Sequence, residues 1–220
     1  MTFHIIDHEQ GSIPWLRWRH DGIGGSDTPA LMGQNPWRSA KALFAEKAAP
    51  SKYGPAGPAP PPKAAIADLF AAAPAPAPPA PDRRYRSAAS RGTALEPYAR
   101  ELYNRHVDGN LQPICLQSVA LPWQRASLDG FCLTTRRALE IKCGDKVYAH
   151  AEDKGTVPAY YIGQLQHILA VSGFESIDFW VWLPGKTPLL LNISRDEAYI
   201  ERMTAMQAEF WARVEVARAG

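Results

Sequence analysis

The sequence predicts an α/β domain in which a central mixed β-sheet is flanked by α-helices. Three runs of alternating or β-branched and apolar residues follow one another at 113–121, 125–133 and 138–143, as consecutive antiparallel strands do. A further strand is predicted at 177–183, where hydrophobic residues on both sides indicate burial of both faces. With 220 residues, 46% of them hydrophobic, the chain can bury a core, and we expect a single domain over residues 1–220.

Composition sets few limits on function. The formal net charge is only +2, so any surface that binds nucleic acid must be a local basic patch. The three cysteines, Cys115, Cys132 and Cys143, indicate neither a disulfide framework nor a four-cysteine metal site, and they fit a reducing, cytoplasmic setting. No signal peptide is recognisable and no apolar run approaches the roughly 18 residues that span a bilayer, so we expect a soluble protein without a membrane partner.

The N-terminal part combines a basic helix with a glycine-rich turn. A short helix is predicted at 9–20, with Arg19 on its basic side, and it leads into GIGGSD at residues 22–27. Such a turn, with Ser26 as a helix N-cap, can present N–H groups and a hydroxyl to a phosphate. On local evidence alone, an ordinary glycine turn with a capping serine is the favoured interpretation. A helix opened by Ser39 follows.

A proline- and alanine-rich insertion interrupts the domain at about residues 50–82. It holds 11 prolines and 11 alanines in 33 residues. Proline removes backbone donors and favours extended conformations, so we expect a semi-rigid or disordered segment without a catalytic role.

Helical patterns return after the insertion. Thr93 and Glu96 match a capping box at the start of a helix, which gives Glu96 either a capping role or the role of an additional carboxylate in a site. A helix at 157–173 and a strand at 187–193 follow. A second capping box at 194–197 introduces a long C-terminal helix, whose apolar stripe is expected in the core.

The stretch from 127 to 143 carries the residues with a chemical signal. In an extended strand Glu140 and Lys142 share one face, and Asp129 lies on the preceding strand. Carboxylates on adjacent strands can hold Mg²⁺, and a neighbouring lysine can orient water or stabilise an anionic transition state. A solvated ion pair is the alternative, but Gly130 after Asp129 indicates a strand interrupted to let a ligand approach.

Five blocks in order make the chain resemble the λ-exonuclease-type, or YqaJ-type, viral recombinase nucleases of the PD-(D/E)XK superfamily. The blocks are Trp15–Arg19 with GIGGSD and Asn35-Pro36-Trp37; Arg91-Gly92 with Leu95-Glu96-Pro97; Ala126–Gly130; Leu139–Cys143; and Tyr161 with Gln164–Gln166. The resemblance implies the PD-(D/E)XK nuclease fold. Leu128 stands where the superfamily name has proline.

The resemblance also implies roles for individual residues. Asp129, Glu140 and the Ile141 carbonyl would hold Mg²⁺, Glu96 would complete the acidic site, Lys142 would activate the water, and Gln164 would support the nucleophile or the scissile phosphate. Arg19, Ser26 and Ser127 would bind a 5′-terminal phosphate. A further basic residue of that pocket is not identified, although Lys146 lies nearby in the sequence.

The activity implied by the resemblance is that of a metal-dependent deoxyribonuclease, a 5′ to 3′ exonuclease acting on linear double-stranded DNA in phage-type recombination. Two Mg²⁺ ions are expected, with Mn²⁺ as a substitute. The implied partners are DNA ends, a single-strand-annealing recombinase protein and, in a ring-shaped trimer, two further copies of the chain.

Two other functions stay open. An endonuclease or nickase on the same scaffold would keep Asp129, Glu140 and Lys142 but would not need a pocket for a 5′-phosphate. A non-catalytic DNA-binding module would recruit partners through the insertion and would be expected to lack the complete acidic set. The tryptophans can stack on bases, but Trp180 and Trp182 lie in a strand predicted to be buried and are expected in the core.

Overall fold

The computed structural model describes residues 2–54 and 87–220, so most of the predicted proline- and alanine-rich insertion lies outside the described residues. The helices are α1 (Ile13–His20), α2 (Thr28–Leu31), α3 (Ala40–Ala48), α4 (Ala88–His106), α5 (Asp145–Lys154), α6 (Ala159–Ser172) and α7 (Glu197–Ala219). The strands are β1 (Phe3–Ile6), β2 (Ile23–Gly24), β3 (Gln112–Ser118), β4 (Gln124–Cys132), β5 (Arg137–Lys142), β6 (Ser176–Val181) and β7 (Leu189–Ser194).

The described strands form one mixed sheet, as predicted. Its order is β1-β3-β4-β5-β6-β7, and the short β2 pairs with β4 outside this path. Strands β3, β4 and β5 are joined antiparallel, whereas β5 and β6 run parallel. A parallel pair needs a crossover connection, and α5 and α6 provide it.

The core lies on both faces of the sheet, and the side chains of β5 alternate between the two faces. On one face Leu139 and Ile141 pack with Leu95, Ala99 and Tyr103 of α4. On the other, residues of α6 such as Leu165, Ile168 and Leu169 join the largest hydrophobic cluster. Trp180 and Trp182 are buried in the α4 cluster, which confirms their predicted place in the core.

Two helices begin differently from the prediction. Helix α4 begins at Ala88, where Ser87 Oγ accepts the Ser90 N–H at 3.1 Å, so Glu96 lies well inside the helix and its interpretation as an N-terminal cap is wrong. Helix α7 is capped by Asp196, which accepts the Tyr199 N–H at 2.9 Å, while Ser194 is the last residue of β7. In both cases another polar residue nearby makes the capping bond.

The glycine-rich turn also differs from the prediction. Ser26 does not cap a regular helix, because it is the middle residue of a 3₁₀ turn at Gly25–Asp27. The Asp27 carboxylate accepts the Gly24 N–H at 3.0 Å and closes this turn. Ser26 is therefore free to present its hydroxyl toward Arg19.

Three elements, β1, β2 and α5, have no counterpart in the sequence prediction. Strands β1 and β2 have only four and two residues, which are too few for an alternating hydrophobic pattern to be recognised in the sequence. Within the two described ranges, no helix combines the length and the apolarity needed to cross a membrane.

Candidate active site

One cavity of about 950 Å³ contains all eight side chains selected from the sequence. It lies between α1, the glycine-rich turn, α4, α6 and the strands β4 and β5. The eight side chains form a carboxylate–lysine centre and an end pocket. The carboxylate–lysine centre consists of Glu96, Asp129, Glu140, Lys142 and Gln164, and the end pocket of Arg19, Ser26 and Ser127.

The carboxylate–lysine centre is built where β4 and β5 separate. Their hydrogen-bonded ladder ends at the pair Gly130 and Leu139. The next N–H of β5 that faces β4, that of Ile141, donates to Asp129 Oδ2 at 2.8 Å. In a strand the N–H and C=O of one residue point to the same side, so the Ile141 carbonyl also faces this gap. The divergence of the strands thus brings a carboxylate and a carbonyl oxygen to one place.

Gly130 has a different role from the predicted one. Strand β4 continues through it to Cys132, and a Cβ at this position would lie 3.0 Å from Leu139 Cδ2 and 3.1 Å from Leu111 Cβ. The missing side chain makes room for core packing, and the interpretation as a strand interrupted for a ligand is wrong.

Glu140 is held from two sides. Lys142 Nζ forms an ion pair with its Oε1, and Gln164 Nε2 of α6 donates to the same oxygen at 2.6 Å. Lys142 Nζ also lies 5.0 Å from the centre of the Tyr161 ring. Only 2% of Glu140 is exposed, so these partners replace the water that the carboxylate has lost.

Glu96 reaches the site from α4 together with an arginine that the sequence did not indicate. Arg100 lies four residues after Glu96 on the same face of the helix and donates from Nε to the Asp129 carbonyl at 2.5 Å. It lines the same cavity. The i, i+4 spacing is a signal that could have selected it, once Glu96 was known to lie inside a helix.

When all three are ionised, the carboxylates carry more negative charge than Lys142 and Arg100 neutralise. Burial, then the charge of Asp129, raises the pKa of Glu96 to about 7, and burial raises the pKa of Glu140 to about 8 despite Lys142. Burial also raises the pKa of Asp129. Glu140 and Asp129 outweigh burial and raise the pKa of Lys142, which stays protonated. An additional cation among these groups would stabilise their ionised forms.

The donor set fits a hard divalent cation, although the ligands are not preassembled. Among residues 2–54 and 87–220, no three His, Cys, Asp or Glu side chains stand close enough together to form a ready ligand cluster. Asp129, Glu140 and the Ile141 carbonyl nevertheless supply the oxygen atoms that Mg²⁺ prefers, and Mg²⁺ commonly takes only one or two protein carboxylates and fills its other positions with water.

The end pocket is organised around Trp15. Its Nε1 donates to Ser127 Oγ at 2.8 Å, and the Arg19 guanidinium lies 4.6 Å from its ring centre. Arg19 Nη2 in turn donates to Ser26 Oγ at 2.5 Å. Side chains from α1, the turn and β4 therefore meet, and their donors form a group suited to an anionic phosphate.

The basic residue missing from the predicted pocket is not supplied by Lys146. Lys146 belongs to α5 and does not line the cavity, whereas Arg125 does. The Arg125 guanidinium donates to the Trp18 carbonyl and lies 5.4 Å from the Trp18 ring centre. Sequence reasoning missed Arg125 because its position beside α1 depends on the pairing of β2 with β4.

A buried ion pair supports the glycine-rich turn. Asp27, which is 3% exposed, binds Lys47 Nζ at 2.9 Å and Arg38 Nη1 at 3.1 Å. Burial opposes ionisation of Asp27, but the charges of Lys47 and Arg19 and the Gly24 N–H lower its pKa to about 2. Lys47 Nζ also donates to the Arg19 carbonyl at 2.7 Å, so this pair ties the turn to the helix that carries Arg19.

The turn is also seated on α6. A Cβ on Gly25 would lie 3.3 Å from Gln164 Cγ, so a glycine allows this close approach. Beneath it, the Thr28 hydroxyl lies 3.0 Å from His167 Nδ1, and His167 Nε2 lies 3.0 Å from the Arg125 carbonyl. The end pocket and Gln164 thereby keep a fixed relation to each other.

A family comparison agrees with the resemblance drawn from the sequence. Residues 14–175 match the family described as the YqaJ-like viral recombinase domain. The matched segment is more than half of the chain and includes all five sequence blocks.

Curated relatives are more distant. A protein of African swine fever virus is 26% identical over 205 residues, and the uncharacterized protein YqaJ of Bacillus subtilis is 23% identical over 207 residues. The alignments cover 79% and 92% of this chain but 49% and 56% of the two relatives. The chain thus spans about half the length of the curated relatives it matches.

Solved structures share the fold. The alkaline exonuclease LHK-Exo of Laribacter hongkongensis superposes with a TM-score of 0.67 at 21% identity, covering 94% of this chain and 95% of that chain. The same enzyme in complex with dAMP gives a TM-score of 0.66 at 19% identity with the same coverage. The predicted PD-(D/E)XK nuclease fold is confirmed.

Proposed function

Because the chain belongs to the family of YqaJ-like viral recombinase domains, we propose that it is a deoxyribonuclease, specifically a Mg²⁺-dependent exonuclease that digests the 5′-ended strand of linear double-stranded DNA. The observation that carries the proposal is the common cavity, in which a carboxylate–lysine centre adjoins a group of phosphate-binding donors. The complex of the structurally similar alkaline exonuclease with dAMP, a deoxynucleotide, supports DNA as the substrate class.

The carboxylate–lysine centre would carry out hydrolysis. Asp129, Glu140 and the Ile141 carbonyl would hold Mg²⁺, with Glu96 acting directly or through water. When bound, the metal supplies positive charge that lowers the pKa of a water molecule and neutralises the transition state. The protonated Lys142 ammonium would orient the attacking water and stabilise the charge that develops on the phosphate.

Gln164 and Arg100 would position this centre. Gln164 fixes one oxygen of Glu140 at 2.6 Å, which leaves the other oxygen for a cation or water. Arg100 donates to the Asp129 carbonyl and interacts electrostatically with the carboxylates of Asp129 and Glu96. Among the described residues it forms no close ion pair with either of them. Gln164 and Arg100 both restrict the geometry that the reaction requires.

The choice of end would come from Arg19, Ser26 and Ser127. A terminal phosphate carries more charge than an internal one and is available only at an end, so a pocket with one guanidinium and two hydroxyl groups favours it. With the phosphate in this pocket, the neighbouring linkage would lie over the carboxylates. That arrangement sets 5′ to 3′ polarity and leaves 3′ single-stranded overhangs.

The deciding experiment compares DNA substrates that differ only in their ends. We expect digestion of linear duplex DNA with 5′-phosphate ends in the presence of Mg²⁺, slower digestion with 5′-hydroxyl ends, and none of covalently closed circular DNA or without metal. Mn²⁺ is expected to restore activity. Arg19→Ala should reduce the preference for the phosphorylated end about 10-fold, because one charge-assisted contact is lost. Digestion of the circle at a rate similar to that of the linear DNA would instead identify an endonuclease.

Assembly and recombination are further parts of the proposal. Resemblance to λ-exonuclease-type enzymes supports a ring-shaped trimer that encloses DNA and works with a single-strand-annealing protein. The molar mass of the purified protein in solution decides the first point, and co-purification with an annealing protein encoded nearby decides the second.

A further inference from the structure

Trp37 has a large aromatic side chain that folding leaves in solvent. Its relative exposure is 70%, whereas Trp18, Trp180, Trp182 and Trp211 are 3–7% exposed. An indole gains stability mainly by burying its large apolar surface, so the packing of this chain does not account for a tryptophan at this position.

The backbone that presents Trp37 is fixed. Asn35 Oδ1 accepts the N–H groups of Trp37 at 2.8 Å and of Arg38 at 3.0 Å, forming a side-chain-capped turn. The Asn35 N–H is itself bound to the Pro29 carbonyl at 3.0 Å in α2. The exposed indole is therefore carried by a constrained turn. Binding of a ligand to it costs the protein little conformational entropy.

Aromatic contacts connect Trp37 to the carboxylate–lysine centre. Its ring lies edge-on to Tyr160 with centres 5.0 Å apart, and Tyr160 lies 4.6 Å from Tyr161. Tyr161 carries the Lys142 ammonium 5.0 Å from its ring centre. These steps place the indole within about 15 Å of Lys142 Nζ, about four base-pair steps of roughly 3.4 Å along a DNA strand.

The same turn also leads to the end pocket. Arg38, the residue after Trp37, binds Asp27, and Asp27 follows Ser26 in the 3₁₀ turn. Trp37 is therefore connected by short chains of contacts to both parts of the cavity, which it does not line. Bases a few nucleotides from the cut would then come within reach of this indole when a DNA end is held in the cavity.

We propose that Trp37, supported edge-on by Tyr160, stacks on a base of the DNA within a few nucleotides of the end that is being digested. The inference rests on the proposed exonuclease function and adds a binding subsite to it. Stacking on an aromatic face does not depend on base identity, so this contact fits an enzyme that must digest any sequence. It would hold the advancing end in register after each cleavage.

The test uses Trp37→Ala and Trp37→Phe, with Val216→Ala as a matched control. Val216 is 75% exposed, lies on α7 and does not line the cavity. Digestion of linear DNA gives kcat and KM for each protein. Affinity for a short duplex is measured in a Lys142→Ala background, where DNA is expected to stay uncut. Duplexes with 2-aminopurine at successive positions from the end report stacking by the loss of fluorescence.

Trp37→Ala should raise KM and Kd at least about 5-fold, the lower bound for one stacked base. It should change kcat less than about 2-fold, because Trp37 contacts no reacting group. Trp37→Phe should keep more than half of the affinity that Trp37→Ala loses. Val216→Ala should behave as the wild type. One 2-aminopurine position should be quenched with Trp37 and bright with alanine.

Unchanged KM, Kd and 2-aminopurine signal in Trp37→Ala would overturn the inference. It would also be overturned if Trp37→Ala altered the molar mass in solution without weakening DNA binding, since the indole would then contact another protein chain. If the wild type bound DNA through Trp37 but digested no DNA, the proposed exonuclease would be wrong while the base-binding subsite stood. The two failures are thus distinguishable.

Discussion

The Glu140 carboxylate and the Asp27 carboxylate are buried to the same degree, yet their surroundings shift their pKa values in opposite directions. Glu140 is 2% exposed and Asp27 is 3% exposed. Asp27 has Lys47, Arg38 and a backbone N–H as partners. The charges of Lys47 and Arg19 and the Gly24 N–H outweigh burial and lower its pKa to about 2. Burial raises the pKa of Glu140 to about 8, because the charge of Lys142, which Glu140 shares with other carboxylates, does not offset it.

The difference separates a structural charge from a functional one. Around Asp27 the charged groups are paired with one another within the fold, so the cluster needs no bound ion to stabilise it. In the carboxylate–lysine centre, Glu96, Asp129 and Glu140 share one lysine and the more distant Arg100, so one negative charge is uncompensated when all three carboxylates are ionised. Burying unpaired charge costs stability, and a site that accepts this cost gains affinity for a cation.

The largest effect is expected from neutralising the carboxylate–lysine centre. Asp129→Asn and Lys142→Ala should each lower Mg²⁺-dependent digestion at least about 1,000-fold, because each removes a group that holds the metal or stabilises the transition state. The midpoint of thermal unfolding should change little for Asp129→Asn, since the variant relieves repulsion between carboxylates. The measurement is initial digestion rate together with a melting curve.

Full activity of Lys142→Ala would contradict the proposed role of the lysine. A matched control is Lys154→Ala, which removes an exposed lysine paired with Asp153 on α5. Its digestion rate should equal that of the wild type.

The second effect is expected from the Asp27 pair. Asp27→Asn should lower the free energy of unfolding by about 3–5 kcal/mol, because it leaves the Lys47 charge buried without a partner. The double variant Asp27→Asn with Lys47→Met should recover part of this loss, since both charges are then removed. Chemical denaturation measures both values.

An exposed ion pair of the same cluster provides the control. Glu46, whose side chain is 57% exposed, also pairs with Arg38. Glu46→Gln should cost less than about 1 kcal/mol. If Asp27→Asn were as mild as Glu46→Gln, Asp27 would not be the compensated structural charge described above.

The sequence predicted what depends on local periodicity. Alternation along a strand correctly put Glu140 and Lys142 on one face and Leu139 and Ile141 on the opposite face, where they join the apolar core. The C-terminal helix likewise buries Met203, Phe210 and Val214 as its stripe indicated. These features require only the repeat of a regular element.

The features that were missed depend on tertiary contacts. Lys47 resembles an ordinary lysine in the last turn of a helix, and only the packing of α3 against the turn makes it a buried partner of Asp27. Arg100 gains its role when α4 packs on β4 and β5. Thr93 and Glu96 satisfy the capping pattern, but Ser87 starts the helix earlier, so a local match was overruled by a competing one.

The smallest effect concerns the cation itself and tests the charge imbalance directly. A metal that binds only the native protein stabilises it by about 1.4 kcal/mol at ten times its Kd, which corresponds to roughly 3–6 °C for a chain of this size. Mg²⁺ should therefore raise the unfolding midpoint of the wild type by a few degrees, and Mn²⁺ should act similarly. Asp129→Asn combined with Glu140→Gln should abolish the shift, whereas Asp27→Asn should melt lower and still show it. An equal shift in all three proteins would mean that the cation binds elsewhere, and the excess negative charge of the carboxylate–lysine centre would then need another explanation.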